Sequence, residues 1–226
     1  MLVTMQQRFI KRENNPRLLL FFAGWGSDEH LFGRQVADGY DCLLCFDYRT
    51  LDFDFTLLEE YREIRLLAWS MGVWVAGQVL ARKDYPWLAK VAVGGTPYPI
   101  DDRRGIPEAI FRATLGNFSD AALVRFRRRI CGTAAQVKEF LSHQPYRTTK
   151  ELHGELQALD DCVRRLPAVV FQWDKAIIGT NDKIFPPANQ RNGWQGVETI
   201  EKAVEHYDGS LFDRLLSGEE EVWTRL

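Results

Sequence analysis

The chain has 226 residues, 46% of them hydrophobic and 27% charged, with a formal net charge of −2. That length suits one α/β domain around one main core, and the composition excludes disordered, fibrous and disulfide-stapled chains. So balanced a charge gives no whole-chain reason to expect nucleic acid or a membrane surface as a partner.

In chain order, the amino-terminal MLVTMQQRFIKRENN lacks a sustained apolar stretch followed by a small-residue cleavage site. No segment reaches the length of a transmembrane helix, so a cytoplasmic protein is expected. The run RLLLFFAG (17–24) is continuously apolar after its first residue and ends at glycine. Such a run predicts a strand buried on both faces of a largely parallel sheet. DCLLCFDY (41–48), EIRLLAWS (63–70) and KVAVGGTP (90–97) repeat the pattern. MGVWVAGQVLARK, between the last two, predicts a helix packed on the sheet, and strand, turn, helix, strand is the βαβ signature.

From about residue 100 to 165 the texture changes to helical segments, PEAIFRATL, DAALVRFRRRICG and AAQVKEFLSH, with no strand among them. They predict a helical cap inserted into a single domain spanning 1–226. Strand character returns in KAIIGTND (175–182) and GVETIEKA (196–203), and a short helical tail closes the chain. Cys42 and Cys45 lie three apart on a strand and so point to opposite faces, while Cys131 and Cys162 are isolated. Buried or incidental thiols are expected and no metal site.

The chemistry is read from Ala68-Trp69-Ser70-Met71-Gly72, where a serine ends a buried strand and a helix follows. This is the context of a nucleophile elbow, with alanine in place of the first glycine. A sharp strand-to-helix turn strains the serine backbone, and bulk two residues to either side would collide with neighbouring elements. Upstream, the first long strand runs into Ala23-Gly24-Trp25-Gly26, whose glycines let a main-chain N–H turn toward the elbow. The N–H groups of Trp25 and Met71 are therefore the expected oxyanion-hole donors. Of the four histidines, His30 precedes the serine and His143 and His153 fall in the cap, which leaves His206 as the base. The acid should follow a late strand, and Asp182 does so directly after AIIG; Asp174 precedes that strand and is the alternative. These residues predict an α/β-hydrolase fold, a mostly parallel sheet flanked by helices, and acyl transfer from serine with no cofactor.

FFAGWG near the start, DYR after the second parallel strand, AWSMGVW at the elbow and IIGTNDKIFPPANQ with a following tryptophan carry a family resemblance. From about Arg17 to His206 the chain resembles the BioG-type pimeloyl-acyl-carrier-protein methyl ester esterases of biotin synthesis; the cap contributes no matching motif. The resemblance implies hydrolysis of the methyl ester on a carrier-bound pimeloyl chain, with Ser70 as nucleophile, His206 as base and Asp182 as acid. It also allows a fused or partnered methyltransferase, although no second domain is read in these residues.

A carrier-bound substrate implies an acidic acyl-carrier protein as partner. Residues 101–165 contain twelve Lys or Arg against nine Asp or Glu, and Arg125, Arg128 and Arg129 share one helical face at three- and four-residue spacing. They are the expected carrier-binding residues, a solvated basic face being the plain alternative. A short-chain carboxylesterase or thioesterase with the same residues, and a non-catalytic binding protein on a hydrolase scaffold, are the competing readings.

Overall fold

A computed structural model describes residues 5–32 and 36–223. The first four residues of the amino-terminal segment read above lie outside them.

Seven strands form one sheet in the order β1-β3-β2-β4-β5-β6-β7. They are β1 (Gln6–Lys11), β2 (Arg17–Phe22), β3 (Tyr40–Phe46), β4 (Glu63–Trp69), β5 (Trp87–Val93), β6 (Lys175–Gly179) and β7 (Glu198–Lys202). β1 pairs antiparallel with β3, and every other pairing is parallel. The continuous apolar runs are explained by two cores, one on each face of the sheet. Along β2 and the residue after it, Leu18, Leu20 and Phe22 enter one core and Leu19, Phe21 and Ala23 the other. Cys45 and Cys42 divide between the same two cores, as the period of a strand requires.

The α2 helix (Met71–Leu80) lies on the first face and α8 (Gly209–Ser217) on the second. Two short helices, α1 (Glu29–Phe32) and α7 (Pro187–Gly193), follow β2 and β6. Between β5 and β6 the chain leaves the sheet and forms α3 (Glu108–Gly116), α4 (Asp120–Cys131), α5 (Ala134–Ser142) and α6 (Thr149–Arg165). Polar side chains start three of these: Ser119 and Thr133 cap α4 and α5, and Thr148 with Glu151 forms a reciprocal capping box on α6.

Some predicted boundaries move. The strand expected over 90–97 spans Trp87–Val93 and ends where Gly94 adopts a φ of 53°. The strand expected to 182 stops at Gly179, because residues 180–182 turn back on hydrogen bonds to Lys202, Val204 and Gly179. β1 was not foreseen from the sequence; as a half-buried edge strand it lacks the apolar run of its neighbours. Among the described residues no helix is long and apolar enough to cross a membrane.

All four cysteines are free thiols. Burial pushes the thiols of Cys42 and Cys45 well up, and that of Cys131 up to about 12. Cys162 on α6 is half-buried. Iodoacetamide at mild alkaline pH should therefore alkylate Cys162 alone in the folded protein and all four after urea, as read by peptide mass spectrometry.

Candidate active site

Ser70 joins β4 to α2 with φ 59° and ψ −127°, a region that costs a non-glycine residue on the order of 1–3 kcal/mol. Close backbone packing holds it there. The Ser70 N–H donates to the Val93 carbonyl at 3.0 Å, and Val73 N–H donates to the Ser70 carbonyl at 3.1 Å. A Cβ at Gly72 would collide with the carbonyl oxygens of Phe22 and Ala23, and one at Gly95 with the Ser70 carbonyl. Gly72 is thus small for the reason the sequence suggested. Gly95 is a comparable requirement that the sequence alone did not single out.

His206 follows β7 and is 4% exposed. Its Nε2 lies 2.9 Å from Ser70 Oγ, and its Nδ1 lies 2.8 Å from Asp182 Oδ2. An Nδ1–H donated to a carboxylate leaves Nε2 as the acceptor for the serine hydroxyl. The Asp182 carboxylate is held by its own turn: Oδ1 accepts from Ile184 N–H at 2.7 Å and Phe185 N–H at 3.0 Å. Oδ2 also accepts from Gln190 Nε2 at 3.1 Å. Two rings lie near the imidazole, Trp69 at 5.3 Å and Phe185 at 6.0 Å and nearly parallel, while the Trp69 indole N–H donates to the His206 carbonyl at 2.9 Å.

A hydroxyl bonded to an imidazole whose far nitrogen meets a buried carboxylate is the arrangement that lets a neutral serine lose its proton as it attacks. The alternatives lie elsewhere. Asp174 accepts from the Lys90 N–H at 2.7 Å, and Asp208, two residues after His206 and too close behind it in sequence for a comfortable partner, caps α8. His30 lies beside Asp28, His143 beside Ser142, and His153 stacks on Phe118. Trp69, Phe185 and Gln190 were missed as contributors; the FPPANQ segment held two of them, but their approach to His206 and Asp182 depends on the fold of α7.

Trp25 and Met71 both line an apolar cavity of about 70 Å³ that opens on Ser70 and His206. Neither main-chain N–H donates to an acceptor among the described residues. The Trp25 indole is fixed at the other side by donating to the Leu152 carbonyl of α6 at 2.9 Å. Ile106, Ile110, Phe111, Phe126 and Leu156 supply the apolar wall. Ile110, Thr114, Phe126 and Arg129 also line a groove between α3 and α4 that carries Arg125 on its wall. The structure therefore brings Arg125 and Arg129 onto one groove beside the cavity, whereas Arg128 is exposed and does not line it. None of the three has a carboxylate partner among the described residues.

The parallel sheet with a strained serine at a strand-to-helix turn defines the α/β-hydrolase class, and solved structures agree. A lipase-esterase related protein from Clostridium acetobutylicum superposes with a TM-score of 0.65 at 15% identity, covering 98% of each chain. The chain belongs to the family described as pimeloyl-ACP methyl esterase BioG, whose profile matches residues 5–217. It is similar to the crystal structure of BioG from Haemophilus influenzae, with a TM-score of 0.85 and 38% identity over 92% of this chain and 97% of that one. It is also 48% identical over 195 residues to a malonyl-acyl-carrier-protein O-methyltransferase of Bacteroides fragilis (strain 638R). That match takes in 86% of this chain, and the chain spans 39% of that relative's length.

The elbow packing yields a stability prediction. Gly72→Ala and Gly95→Ala should each cost about 1–3 kcal/mol through forced backbone shifts. For a chain of this size that is a fall in Tm of roughly 2–4 °C per kcal/mol. A thermal melt checks it, and an unchanged Tm would mean the elbow is looser than its geometry.

Proposed function

We propose that this chain is a serine esterase that removes the methyl group from a carrier-bound pimeloyl methyl ester. The observation that carries the reading is the 2.9 Å contact from His206 Nε2 to Ser70 Oγ at a positive-φ elbow facing an apolar cavity. Family membership narrows the ester to the pimeloyl class. A relative named for placing a methyl ester on a carrier-bound acid supports the same substrate chemistry.

In this reading Ser70 Oγ attacks the ester carbonyl carbon as His206 Nε2 takes the hydroxyl proton. Asp182 holds the imidazole tautomer and stabilises the imidazolium. The negative charge on the former carbonyl oxygen is met by the N–H groups of Trp25, in the turn after β2, and of Met71, in the first turn of α2. The amino-terminal end of α2 adds a favourable dipole there. As the tetrahedral centre collapses, the C–OCH₃ bond breaks and the imidazolium proton leaves with methanol. Water then attacks the acyl-enzyme by the same route, releasing the free carboxylate and restoring Ser70. The isoleucine, phenylalanine and leucine walls suit a run of methylenes.

Ser70→Ala and His206→Ala should each lower turnover by about 10⁴- to 10⁶-fold, with the double variant little worse because the residues act as a unit. Asp182→Asn should lose on the order of 10⁴-fold through the wrong tautomer. Steady-state assays on the carrier methyl ester, a free short-chain ester and an acyl thioester check both points and the substrate class. Preference for the free ester or the thioester would replace the proposed substrate, and failure of a fluorophosphonate to label Ser70 would favour a non-catalytic scaffold.

The helices between residues 100 and 165 act in this reading as a cap on a single domain, and the carrier docks on α4. Arg125, Arg128 and Arg129 carry charge that no carboxylate among the described residues offsets, unlike Arg112, Arg147 and Arg164, which pair within the cap or with the strand ends. The groove wall formed by Arg125 and Arg129 would guide the acidic carrier's arm toward Ser70. Free thiols throughout suit the reducing cytoplasm, where such carriers operate.

Replacing Arg125, Arg128 and Arg129 with glutamate should selectively lower kcat/KM for the carrier ester by about 10-fold or more at low salt, with the difference shrinking as ionic strength rises. Arg129 also donates twice to the Lys183 carbonyl beside Asp182, at 3.1 and 2.8 Å, so the Arg125→Glu, Arg128→Glu pair is the cleaner variant. Equal losses on carrier and free esters would rule the docking surface out.

A further inference from the structure

The DYR motif after β3, Asp47-Tyr48-Arg49, has no place in the chemistry described so far, yet its central residue, Tyr48, is fully buried. Asp47 adopts φ 61°, which lets the chain reverse at the strand end. The Tyr48 hydroxyl then reaches back to the Ala23 carbonyl at 2.6 Å, with the Cys45 carbonyl 3.0 Å away. Burial holds its phenol well above the usual range, so it stays a donor.

Ala23 is where the two arms around Ser70 meet. Its carbonyl oxygen lies so near Gly72, one residue after Met71, that a Cβ there would collide with it. The next residue, Gly24, lies so close to the elbow that a Cβ would stand 2.8 Å from Trp69 Cε3 and 3.1 Å from Ser70 Cβ. The peptide that follows, between Gly24 and Trp25, carries the Trp25 N–H. That N–H thus lies between two anchors, the Tyr48 hydroxyl on the Ala23 carbonyl and the Leu152 carbonyl on the Trp25 indole.

Both anchors lead to one turn of α6. The Tyr48 N–H donates to Glu155 Oε1 at 3.0 Å, and Glu155 is three residues from Leu152. Glu155 is fully buried and paired with Arg147, whose Nη2 forms a 3.0 Å ion pair with Asp47. Taking one member from such a buried pair costs more than the pair gains, so the cluster resists rearrangement.

We propose that Tyr48 is a positioning residue of the oxyanion hole: its hydroxyl fixes the Ala23 carbonyl, and through it the direction of the Trp25 N–H relative to the Met71 N–H. This rests on the reading of Trp25 and Met71 as the oxyanion donors. Tyr48→Phe keeps the ring and the backbone contacts and deletes only the hydroxyl.

The test measures kcat and KM per active site, titrated so that only folded enzyme is counted, together with inhibition by an alkyl trifluoromethyl ketone. That inhibitor forms a bond from Ser70 Oγ to its carbonyl carbon, its oxygen becoming an oxyanion. Outright loss of an oxyanion donor costs about 10²- to 10³-fold, so a misaimed one should cost about 10- to 100-fold in kcat, with ketone binding weakened by a similar factor and KM for a small ester nearly unchanged. A fall in Tm with kcat per site within twofold of the parent would make Tyr48 a packing residue and overturn the proposal. A crystal structure of the parent phosphonylated on Ser70 separates the two failures. A phosphoryl oxygen away from the Trp25 and Met71 amides removes the oxyanion assignment and this inference together; one held between them, with an unaffected Tyr48→Phe enzyme, removes this inference alone.

Discussion

Three stretches of main chain meet at Ser70 with almost no side chain between them, and the rest of the structure depends on that contact. The ends of β2 and β5 and the first turn of α2 approach so closely that Gly72 and Gly95 cannot carry a Cβ without striking a carbonyl. A serine at φ 59° is unfavourable alone, and only surroundings that leave it no alternative keep it there. Those surroundings are the two apolar cores. Burial of side chains such as Leu20, Phe22, Leu66 and Phe21, each worth about 1.5–3 kcal/mol, far outweighs the strain of one residue.

The same rigidity passes to His206 and Asp182, which reach the elbow from later strands. Asp182 is held by two main-chain N–H groups and by Gln190, leaving one oxygen directed at the imidazole. The Trp69 and Phe185 rings lie 5.3 and 6.0 Å from the His206 ring, and the histidine is buried among them. In so buried a setting each aligned dipole acts more strongly than it would in solvent.

The helices between β5 and β6 play two roles with opposite physical character. On their inner side they bind tightly, through a buried Glu155, Arg147 and Asp47 cluster and through Leu152, to the end of β3 and the turn after β2. On their outer side α4 places Arg125 and Arg129, which form no ion pair among the described residues, along a groove that shares walls with the cavity. The first role fixes geometry near Ser70, and the second leaves positive charge at the surface beside the cavity.

Much of this was legible in the residues themselves. Short continuous apolar runs that end at glycine or a turn suit strands covered on both sides, so the parallel sheet and its flanking helices follow from β2, β3, β4 and the βαβ order around α2. The order of a serine before glycine, an aspartate after a late strand and one histidine near the end singled out Ser70, Asp182 and His206. β1 was illegible because a half-buried edge strand has no apolar run to announce it. Gly95, Trp69, Phe185, Gln190 and Tyr48 were hidden for a different reason: each matters through a neighbour 20 or more residues away in sequence, or through a turn whose course no local pattern fixes. Arg125, Arg128 and Arg129 were visible as a charged face, but only the placing of α4 across a groove from α3 decided that Arg125 and Arg129 border it and Arg128 does not. Periodicity and turn chemistry act over a few residues and so are written in the sequence; the aim of an N–H or the wall of a groove arises where distant segments are pressed together, and only the folded chain specifies it.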